Sequence, residues 1–414
     1  MSAQKDQAGT KSGEAADLID KGGAEFLAGH MKSAEGVFAE ALDALKNKPA
    51  GNAEVKAQLA AAHQGLGRAK TWLAKYREAE QHLSEAAKLI EDLHGEDSSE
   101  TRINNLYRAE LCEYMEEYEK AHLIASNVVS ELKQASSTGD LLFAHALARL
   151  GMAMNHLKQG SEAEPLLSKA LGIRKGILGD NHRLVAESLH DLAHSYQVVD
   201  NFTLASVFER RALKIREEVL GEDHPEVGTS LYALASQYLR SGLFSKAEAA
   251  ARRGLKICQN SFDNDHPLVI RLCEELASAC LATGMIDEAE KLNKSALKSA
   301  ETRWGIENPR LVASLVGLGT TYLSRGDWRN AETYFEKSLK IMESNEDLNT
   351  SLEYRLLQQL SCCYLFQFKL GDAIRLVPDT FRAKHTSDFS STIDLIRKLV
   401  EFASKKLDQS GKKD

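Results

Sequence analysis

The chain has 414 residues, 52 of them Lys or Arg and 60 Asp or Glu, so its formal net charge is −8. This mild acidity argues against a nucleic-acid-binding protein or a basic membrane-surface protein. Apolar residues make up 43% of the chain, and only six residues are proline, where average usage would give roughly twenty. Because proline interrupts helices, this composition predicts a mostly helical protein with a substantial core.

Targeting and metal-binding patterns are missing from the sequence. No segment approaches the roughly 18 consecutive apolar residues of a membrane helix, and the opening residues MSAQKDQAGTKSGEAADL contain no apolar signal-peptide core. We therefore expect a cytoplasmic protein with no membrane insertion. The six cysteines have neither zinc-ligand spacing nor the pattern of a disulfide framework, so we expect reduced, mostly buried thiols and no metal or other cofactor.

A repeat of 42 residues organises the chain. Its clearest column is a series of alanines at one constant spacing: Ala79, Ala121, Ala163, Ala205, Ala247, Ala289, Ala331 and Ala373. Ala34, 45 residues before the first of them, adds a ninth unit with a slightly longer connector. Thirteen residues before the alanine most units have a leucine followed by a small residue, and nine before it a tyrosine is common. Such fixed-period similarity is the signature of a repeat architecture.

Each unit is predicted to form two amphipathic helices. In the sixth unit, Leu231, Leu234 and Tyr238 fall on one face of a helix with 3.6 residues per turn. A turn at Gly242 separates this helix from a second one, whose apolar face includes Ala247. Small residues in these columns allow two helix axes to approach closely, and the glycine pairs at 65 and 67 and at 317 and 319 are given the same packing role.

A short motif connects successive units. It reads LGDNHR from Leu178, LGEDHP from Leu220, FDNDHP from Phe262 and WGIENP from Trp304. Gly221 can adopt the positive φ that ends a helix, and Pro225 suits the first position of the next helix. We interpret the motif as helix capping rather than as a catalytic or ligand-binding element.

These columns resemble the tetratricopeptide repeat, and the 42-residue form with LGxDHP connectors is similar to the repeats of kinesin light chain. The stretches SEAEPLLSKALGIRKGILGDNH from Ser161 and ERRALKIREEVLGEDHPEV from Glu209 carry the resemblance best. Kinesin light chain has a long heptad segment before its repeats, whereas only about 16 polar residues precede the first predicted helix here, so we do not expect a motor subunit. The Asn column of the kinesin-light-chain groove is also replaced here, by residues such as Arg149, Asp191 and Glu275.

The resemblance implies an all-α, helical-repeat solenoid. About nine helix-turn-helix units would stack over residues 14–383, most regularly over 136–345, and form a right-handed superhelix whose concave groove is lined by the first helix of each unit. An amphipathic stretch within 384–408 is expected to form a C-terminal capping helix. Residues 1–13 and 409–414 are polar and are expected to be disordered tails.

No nucleotide-binding, hydrolase or metalloprotease motif is present, so we expect no catalysis and place the function in the groove. The groove positions lie 18, 15, 14, 11, 8 and 7 residues before each repeat alanine. The candidate peptide-binding residues at these positions are His145, Arg149, Met152, Asn155, His156, Glu187, His190, Asp191, His194, Tyr232, Ser236, Arg240, Arg271, Glu274 and Glu275.

The reading we favour is a non-catalytic scaffold or adaptor that binds a short linear peptide or a helix of a partner protein. Arg149 and the histidines around it suggest a partner with acidic residues, whose binding would strengthen as the histidines gain protons. One alternative is an autoinhibited regulatory or sensor subunit whose groove holds its own terminal segment. The least favoured alternative is a metal-dependent enzyme, because His190 and His194 are one helical turn apart. The sequence does not fix the oligomeric state.

Overall fold

The computed structural model describes residues 2–49, 51–344, 350–367 and 369, without the side chains of residues 2–12, 350, 351 and 354. All regular secondary structure in these residues is helical. The α-helices are α1 (Ser2–Leu27), α2 (Met31–Leu45), α3 (Ala53–Trp72), α4 (Tyr76–His94), α5 (Ser99–Tyr114), α6 (Tyr118–Gln134), α7 (Leu141–His156), α8 (Gly160–Leu178), α9 (Arg183–Val198), α10 (Phe202–Leu220), α11 (Pro225–Arg240), α12 (Phe244–Ser261), α13 (Pro267–Ala282), α14 (Ile286–Trp304), α15 (Val312–Arg325), α16 (Trp328–Glu343) and α17 (Thr350–Phe366).

The helices pack in consecutive pairs, which confirms the predicted all-α repeat fold. Eight complete pairs run from α1–α2 to α15–α16, and α17 is the first helix of the ninth unit. The odd-numbered helices are the first helices of the pairs, and α1, α3, α5 and α7 each contact the next first helix in the series. The handedness of the superhelix stays a prediction.

The repeat columns are the core of the array. The eight alanines of the column from Ala34 to Ala331 are all completely buried. The leucines thirteen residues earlier, from Leu66 to Leu360, are at most 8% exposed. Ala373, the last member of the alanine column, lies outside the described residues. The periodic pattern in the sequence therefore identifies the packed face of nearly every helix.

The paired glycines are packing positions, as predicted. A Cβ atom added at Gly67 would lie 2.7 Å from Leu83 in the second helix of the same pair, and one added at Gly65 would lie 2.4 Å from Phe38 in the second helix of the preceding pair. Gly317 and Gly319 repeat this arrangement against Asn293 and Phe335. Each glycine pair thus lets one first helix approach two second helices.

The connector motif caps helices at both of its ends. Gly221 has a φ of +91° and its N–H donates to the Glu217 carbonyl oxygen, which ends α10, and Pro225 is the first residue of α11. His224 adds a cap that the sequence analysis missed, because its Nδ1 accepts a hydrogen bond of 3.1 Å from Glu226 N. Equivalent histidines, His182 and His266, cap α9 and α13 in the same way.

The chain divides into two compact units, and the boundary falls between Val269 and Ile270, inside α13. We call them unit 1 and unit 2 and describe each by itself. α1 begins at Ser2, so a helix runs through the segment 1–13 that its polar composition predicted to be disordered; the segment has no proline to prevent this. Residues 384–408 and 409–414, predicted to be a capping helix and a tail, lie outside the described residues.

All six cysteines are free thiols. Cys112, Cys258, Cys273, Cys280 and Cys363 are buried, and Cys362 is half-buried. Burial raises the pKa of Cys112 to about 11 and that of Cys258 to about 12. These values keep the thiols protonated at neutral pH, which matches the expectation of unreactive core cysteines.

Candidate functional site

The candidate groove residues of unit 1 lie on the first helices α7, α9 and α11. Three of them, Arg149, Asn155 and Asp191, are buried. Arg240 is exposed, and the rest are half-buried: His145, Met152, His156, Glu187, His190, His194, Tyr232 and Ser236. The predicted surface therefore contains a buried polar layer in addition to residues that solvent or a partner can reach.

Arg149 is the centre of the buried layer and is 7% exposed. Its Nη1 lies 3.2 Å from Glu113 Oε2 on α5, and its Nη2 lies 2.9 Å from Glu187 Oε1 on α9. Asp191 Oδ2, also on α9, is 3.9 Å from Nη2. One guanidinium group thus connects three consecutive first helices and is surrounded by acids of its own chain.

This arrangement corrects the expectation of a free positive charge at Arg149. Its charge is already balanced by the neighbouring Glu187 carboxylate, so it is not available to an acidic partner in this structure. His145 is no source of titratable charge near neutral pH either, because burial and the neighbouring Arg149 lower its pKa to about 3. Neither Arg149 nor His145 therefore supports the prediction of an acidic partner.

The carboxyl groups around Arg149 titrate differently from one another. Burial raises the pKa of Glu113 to about 8, and the attraction of Arg149 only partly opposes this effect. Burial also raises the pKa of Asp191, to about 6, with Glu187 acting in the same direction. The pKa of Glu187 itself is lowered, because Arg174 and Arg149 outweigh its burial. Glu113 thus differs from Glu187 in being protonated at neutral pH.

A second buried network follows in the next repeat. Glu209 is fully buried in α10 and accepts a hydrogen bond of 2.8 Å from His190 Nδ1. Although burial opposes its ionisation, His190 and Arg216 hold the pKa of Glu209 below its ordinary value. His190 is therefore engaged within the protein, and its role differs from that of a free surface histidine.

Two arginines occupy the same column of the repeat and make the same contact. Arg174 Nη1 donates to Ser188 Oγ (2.8 Å), and Arg216 Nη1 donates to Ser230 Oγ (2.6 Å). Each arginine is on a second helix, and each serine is on the first helix of the following repeat. The sequence analysis missed this pairing, although the arginines are 42 residues apart and so are the serines.

A strip of rings crosses the inner ends of three repeats. Tyr118, the first residue of α6, stacks on His156 at 4.5 Å with an interplanar angle of 9°. The rings of His156 and His194 follow at 5.1 Å. Both histidines are predicted groove residues and are half-buried, so the structure brings them together into one continuous surface. We call Tyr118, His156 and His194 the aromatic strip.

A second set of rings lies nearer the start of the chain. The guanidinium group of Arg68 is 4.5 Å from the centre of the Phe26 ring and 4.3 Å from that of Tyr107. Tyr107 is in turn 6.0 Å from His145. These contacts hold the Arg68 side chain between α1 and α5.

The candidate residues of unit 2 are Arg271, Glu274 and Glu275 on α13. Arg271 is exposed and the two glutamates are half-buried. Glu274 accepts a hydrogen bond from Ser314 Oγ on α15. Burial raises the pKa of Glu274. The contact with Ser314 gives Glu274 a structural role between two first helices.

The histidines of unit 1 do not form a metal centre. Within residues 2–49, 51–344 and 350–367, no three His, Cys, Asp or Glu side chains are placed to share a metal ion. His190 is directed to Glu209 and His194 lies next to His156, so these two histidines engage different partners.

Comparison with known proteins agrees with the repeat columns. The family model described as Tetratricopeptide repeat matches residues 142–218, 195–260 and 269–344. The chain therefore contains tetratricopeptide repeats over these residues. No curated protein matches the sequence.

Several solved structures are similar to the chain, and those of a STAND protein and a Rap protein share its fold. A STAND protein with a tetratricopeptide repeat sensor from Pyrococcus horikoshii is 16% identical, with a TM-score of 0.56, over 84% of this chain and 53% of that chain. A Rap protein complexed with Competence and Sporulation Factor is 14% identical, with a TM-score of 0.54, over 84% of this chain and 99% of that one. TPR-like repeats assigned to a kinesin light chain of Podosopora anserina are 24% identical, with a TM-score of 0.42, over 49% and 96% of the two chains.

The search for membrane helices gives a negative result. Among the helices that the structure describes, none is both long and apolar enough to cross a lipid bilayer. The fold itself is one that typically has no catalytic activity and binds other proteins.

Proposed function

We propose that this protein is a cytoplasmic, non-catalytic scaffold and that unit 1 binds an extended or helical segment of a partner protein. The segment would lie across the half-buried side of α7, α9 and α11. Partner segments bind such repeat surfaces through a few anchor residues and polar contacts that set their register.

The aromatic strip is the observation that carries this proposal. It places three rings side by side, two of them on half-buried histidines, and such rings suit apolar side chains of a partner. Because Arg149 is buried and its charge is balanced by Glu187, recognition would depend on the strip rather than on a fixed positive charge. Tyr232 and Ser236 on α11 would extend the surface.

Proteins of the same fold lend this proposal further support. The Rap protein is complexed with a factor, and the STAND protein uses its tetratricopeptide repeats as a sensor. The alternative of an autoinhibited groove stays a prediction. Helix α1 packs against α2 and α3 as part of the array, so α1 is not the occupant in that alternative.

The experiment compares proteins captured by the wild-type chain and by a variant with His156→Ala and His194→Ala. A matched control carries His94→Ala and His122→Ala, which removes two histidines from second helices. We expect cross-linking mass spectrometry to find a partner on wild type and control that is reduced at least about tenfold on the first variant, as expected for loss of an anchor. Equal capture by all three proteins, with helicity unchanged, would contradict the proposal.

A further inference from the structure

The turn between α1 and α2 touches a connector almost 200 residues later in the chain. Gly29 in this turn has a φ of +80°, and a Cβ atom added to it would lie 2.5 Å from Pro225 Cδ and 2.7 Å from His224 Cδ2. The contact therefore leaves no room for a side chain at position 29. His224 and Pro225 belong to the connector between the fifth and sixth helix pairs.

The following connector makes two further contacts with the first two pairs. Lys32 Nζ lies 2.9 Å from Asp263 Oδ1. The His266 ring is stacked on Phe262 at 4.0 Å, and its Nε2 is 2.9 Å from the Trp72 carbonyl oxygen at the end of α3. His266 Nδ1 meanwhile accepts the hydrogen bond from Leu268 N that caps α13. One imidazole thus joins a helix cap to a contact across unit 1.

These contacts join the first two helix pairs of unit 1 to the connectors that precede α11 and α13. The repeats between these two ends therefore form a closed arrangement within unit 1. The closing contacts differ from those between neighbouring repeats, which bury continuous rows of alanine and leucine. The Lys32 and Asp263 side chains are 55% and 75% exposed, and exposed ion pairs contribute little to stability. The junction is therefore held by a few polar contacts and by the close approach of Gly29 to His224 and Pro225, with no continuous apolar row across it.

We propose that Gly29, Lys32 and Trp72, together with His224, Asp263 and His266, form a clasp that opens without unfolding the repeats and admits bulky segments to the inner surface. The part of this proposal that concerns a partner segment rests on the proposed function, but the opening of the clasp does not. The first helices keep their packing in both states, and only the contacts of the six clasp residues are exchanged for contacts with water.

The test measures access to a thiol placed on α11 by Ser236→Cys. A small reagent, iodoacetamide, and a bulky one, a long polyethylene-glycol maleimide, are compared, and the modified peptide is quantified by mass spectrometry. Lys32→Glu places a second negative charge beside Asp263 and should raise the rate of the bulky reagent about two- to fivefold, the range that an exposed ion pair is worth. The rate of the small reagent should change less.

Two controls separate the clasp from general loosening. Adding Asp263→Lys to Lys32→Glu re-forms the ion pair with its charges exchanged and should restore the wild-type rate. A thiol placed on the exposed outer side of α8 by Ser168→Cys should react at one rate in every variant. Gly29→Ala should also speed the bulky reagent more than Gly242→Ala does, because both glycines have positive φ but a Cβ at Gly242 meets nothing within 4 Å.

Hydrogen exchange supplies an independent readout on the full chain. Exchange at the Leu268 amide should rise in Lys32→Glu, whereas exchange at the Leu184 amide, capped by His182, should stay constant. The clasp is refuted if the bulky reagent reacts at the wild-type rate in both Lys32→Glu and Gly29→Ala, or if the exchanged pair fails to restore it. Neither measurement involves a partner, so a clasp that opens as expected while the capture experiment fails would leave this inference standing and refute only the proposed function.

Discussion

Arg149 Nη1 donates a hydrogen bond of 3.2 Å to Glu113 Oε2, and each of the two side chains is only 8% exposed. Glu187 completes the coordination of the guanidinium group from α9. A buried charge is stable only when its partners are present. Removing one partner therefore lowers the free energy of unfolding more than replacing all of the interacting residues together. The pair therefore fixes the contact between neighbouring first helices more strongly than the exposed ion pairs of unit 1 do.

Arg149→Met should lower the free energy of unfolding by about 3–5 kcal/mol, because it leaves Glu187 and the buried Asp191 without this cation and Glu113 without its hydrogen-bond donor. Arg210→Met, on the exposed face of α10, should change it by less than about 0.5 kcal/mol. Urea unfolding followed by circular dichroism measures both values. Equal stability of the two variants would show that the Arg149 cluster contributes nothing to the fold.

Ala247→Leu should lower the free energy of unfolding by about 1–3 kcal/mol, because Ala247 is completely buried between helices and the larger side chain overpacks the contact. Ala249→Leu, two residues away on an exposed face of α12, should have a much smaller effect. The two melting temperatures provide the comparison. Equal shifts for the two variants would show that the register of the repeat is wrong.

Two glycine-to-alanine substitutions in one helix pair should change the free energy of unfolding in opposite directions. A Cβ at Gly151 in α7 would lie 2.6 Å from Leu167, so Gly151→Ala should destabilise the protein by about 1–3 kcal/mol. A Cβ at Gly172 in α8 would meet nothing within 4 Å, so Gly172→Ala should stabilise it by about 0.5–1 kcal/mol through helix propensity. Chemical denaturation measures the free energy of unfolding of both variants. A change in the same direction for both variants would contradict the prediction.

The helix pairs and their packed faces could be predicted because they depend on local periodicity. Ala247 and Leu234 mark the core by their spacing alone, and Gly221 marks a helix end by its conformational freedom. The site was harder to predict. Register predicts that Arg149 is a groove residue of α7, but register does not reveal that Glu113 and Glu187 from neighbouring repeats contact its guanidinium group.

Contacts between distant repeats had no signal in the sequence. Gly29 occupies the same turn position as Gly242, so its pattern is that of any turn glycine. Only the three-dimensional path of unit 1 brings it against Pro225. The pairing of Arg174 with Ser188, in contrast, was available as a repeated column and could have been found by comparing Arg216 and Ser230 one repeat later.

Lys158→Gly should stabilise the protein by roughly 0.5–1 kcal/mol. Lys158 has a φ of +63° in the turn between α7 and α8, a conformation that costs about 1–2 kcal/mol for a residue with a side chain. Gly242, two repeats later, shows that glycine can occupy this turn position. The reverse substitution, Gly242→Lys, should lower the stability by a similar amount. Thermal melts of both variants measure the effect, and a loss of stability in Lys158→Gly would contradict the strain argument.

Glu113 gives the protein a stability that depends on pH in an unusual direction. Burial raises its pKa to about 8 in the folded chain, whereas an unfolded glutamate titrates near 4.5. Between these values the folded state keeps a proton that the unfolded state has lost, so stability falls as the pH rises. His145 acts in the opposite direction at lower pH, because its lowered pKa of about 3 makes stability rise as the pH rises towards 6.5.

From pH 6.5 to 8.5 the contribution of Glu113 should therefore decrease the free energy of unfolding, by about 1–2 kcal/mol at about 1.4 kcal/mol per pKa unit. Glu113→Gln removes the titrating proton and keeps a similar shape, so its stability should change less than that of the wild type over this range. Glu119→Gln, exposed on α6, has the same change in net charge and should follow the wild type. Urea unfolding at both pH values measures the three slopes. Parallel slopes for the wild type and Glu113→Gln would show that Glu113 is ionised in the folded state and that Arg149 pairs with it as a full charge.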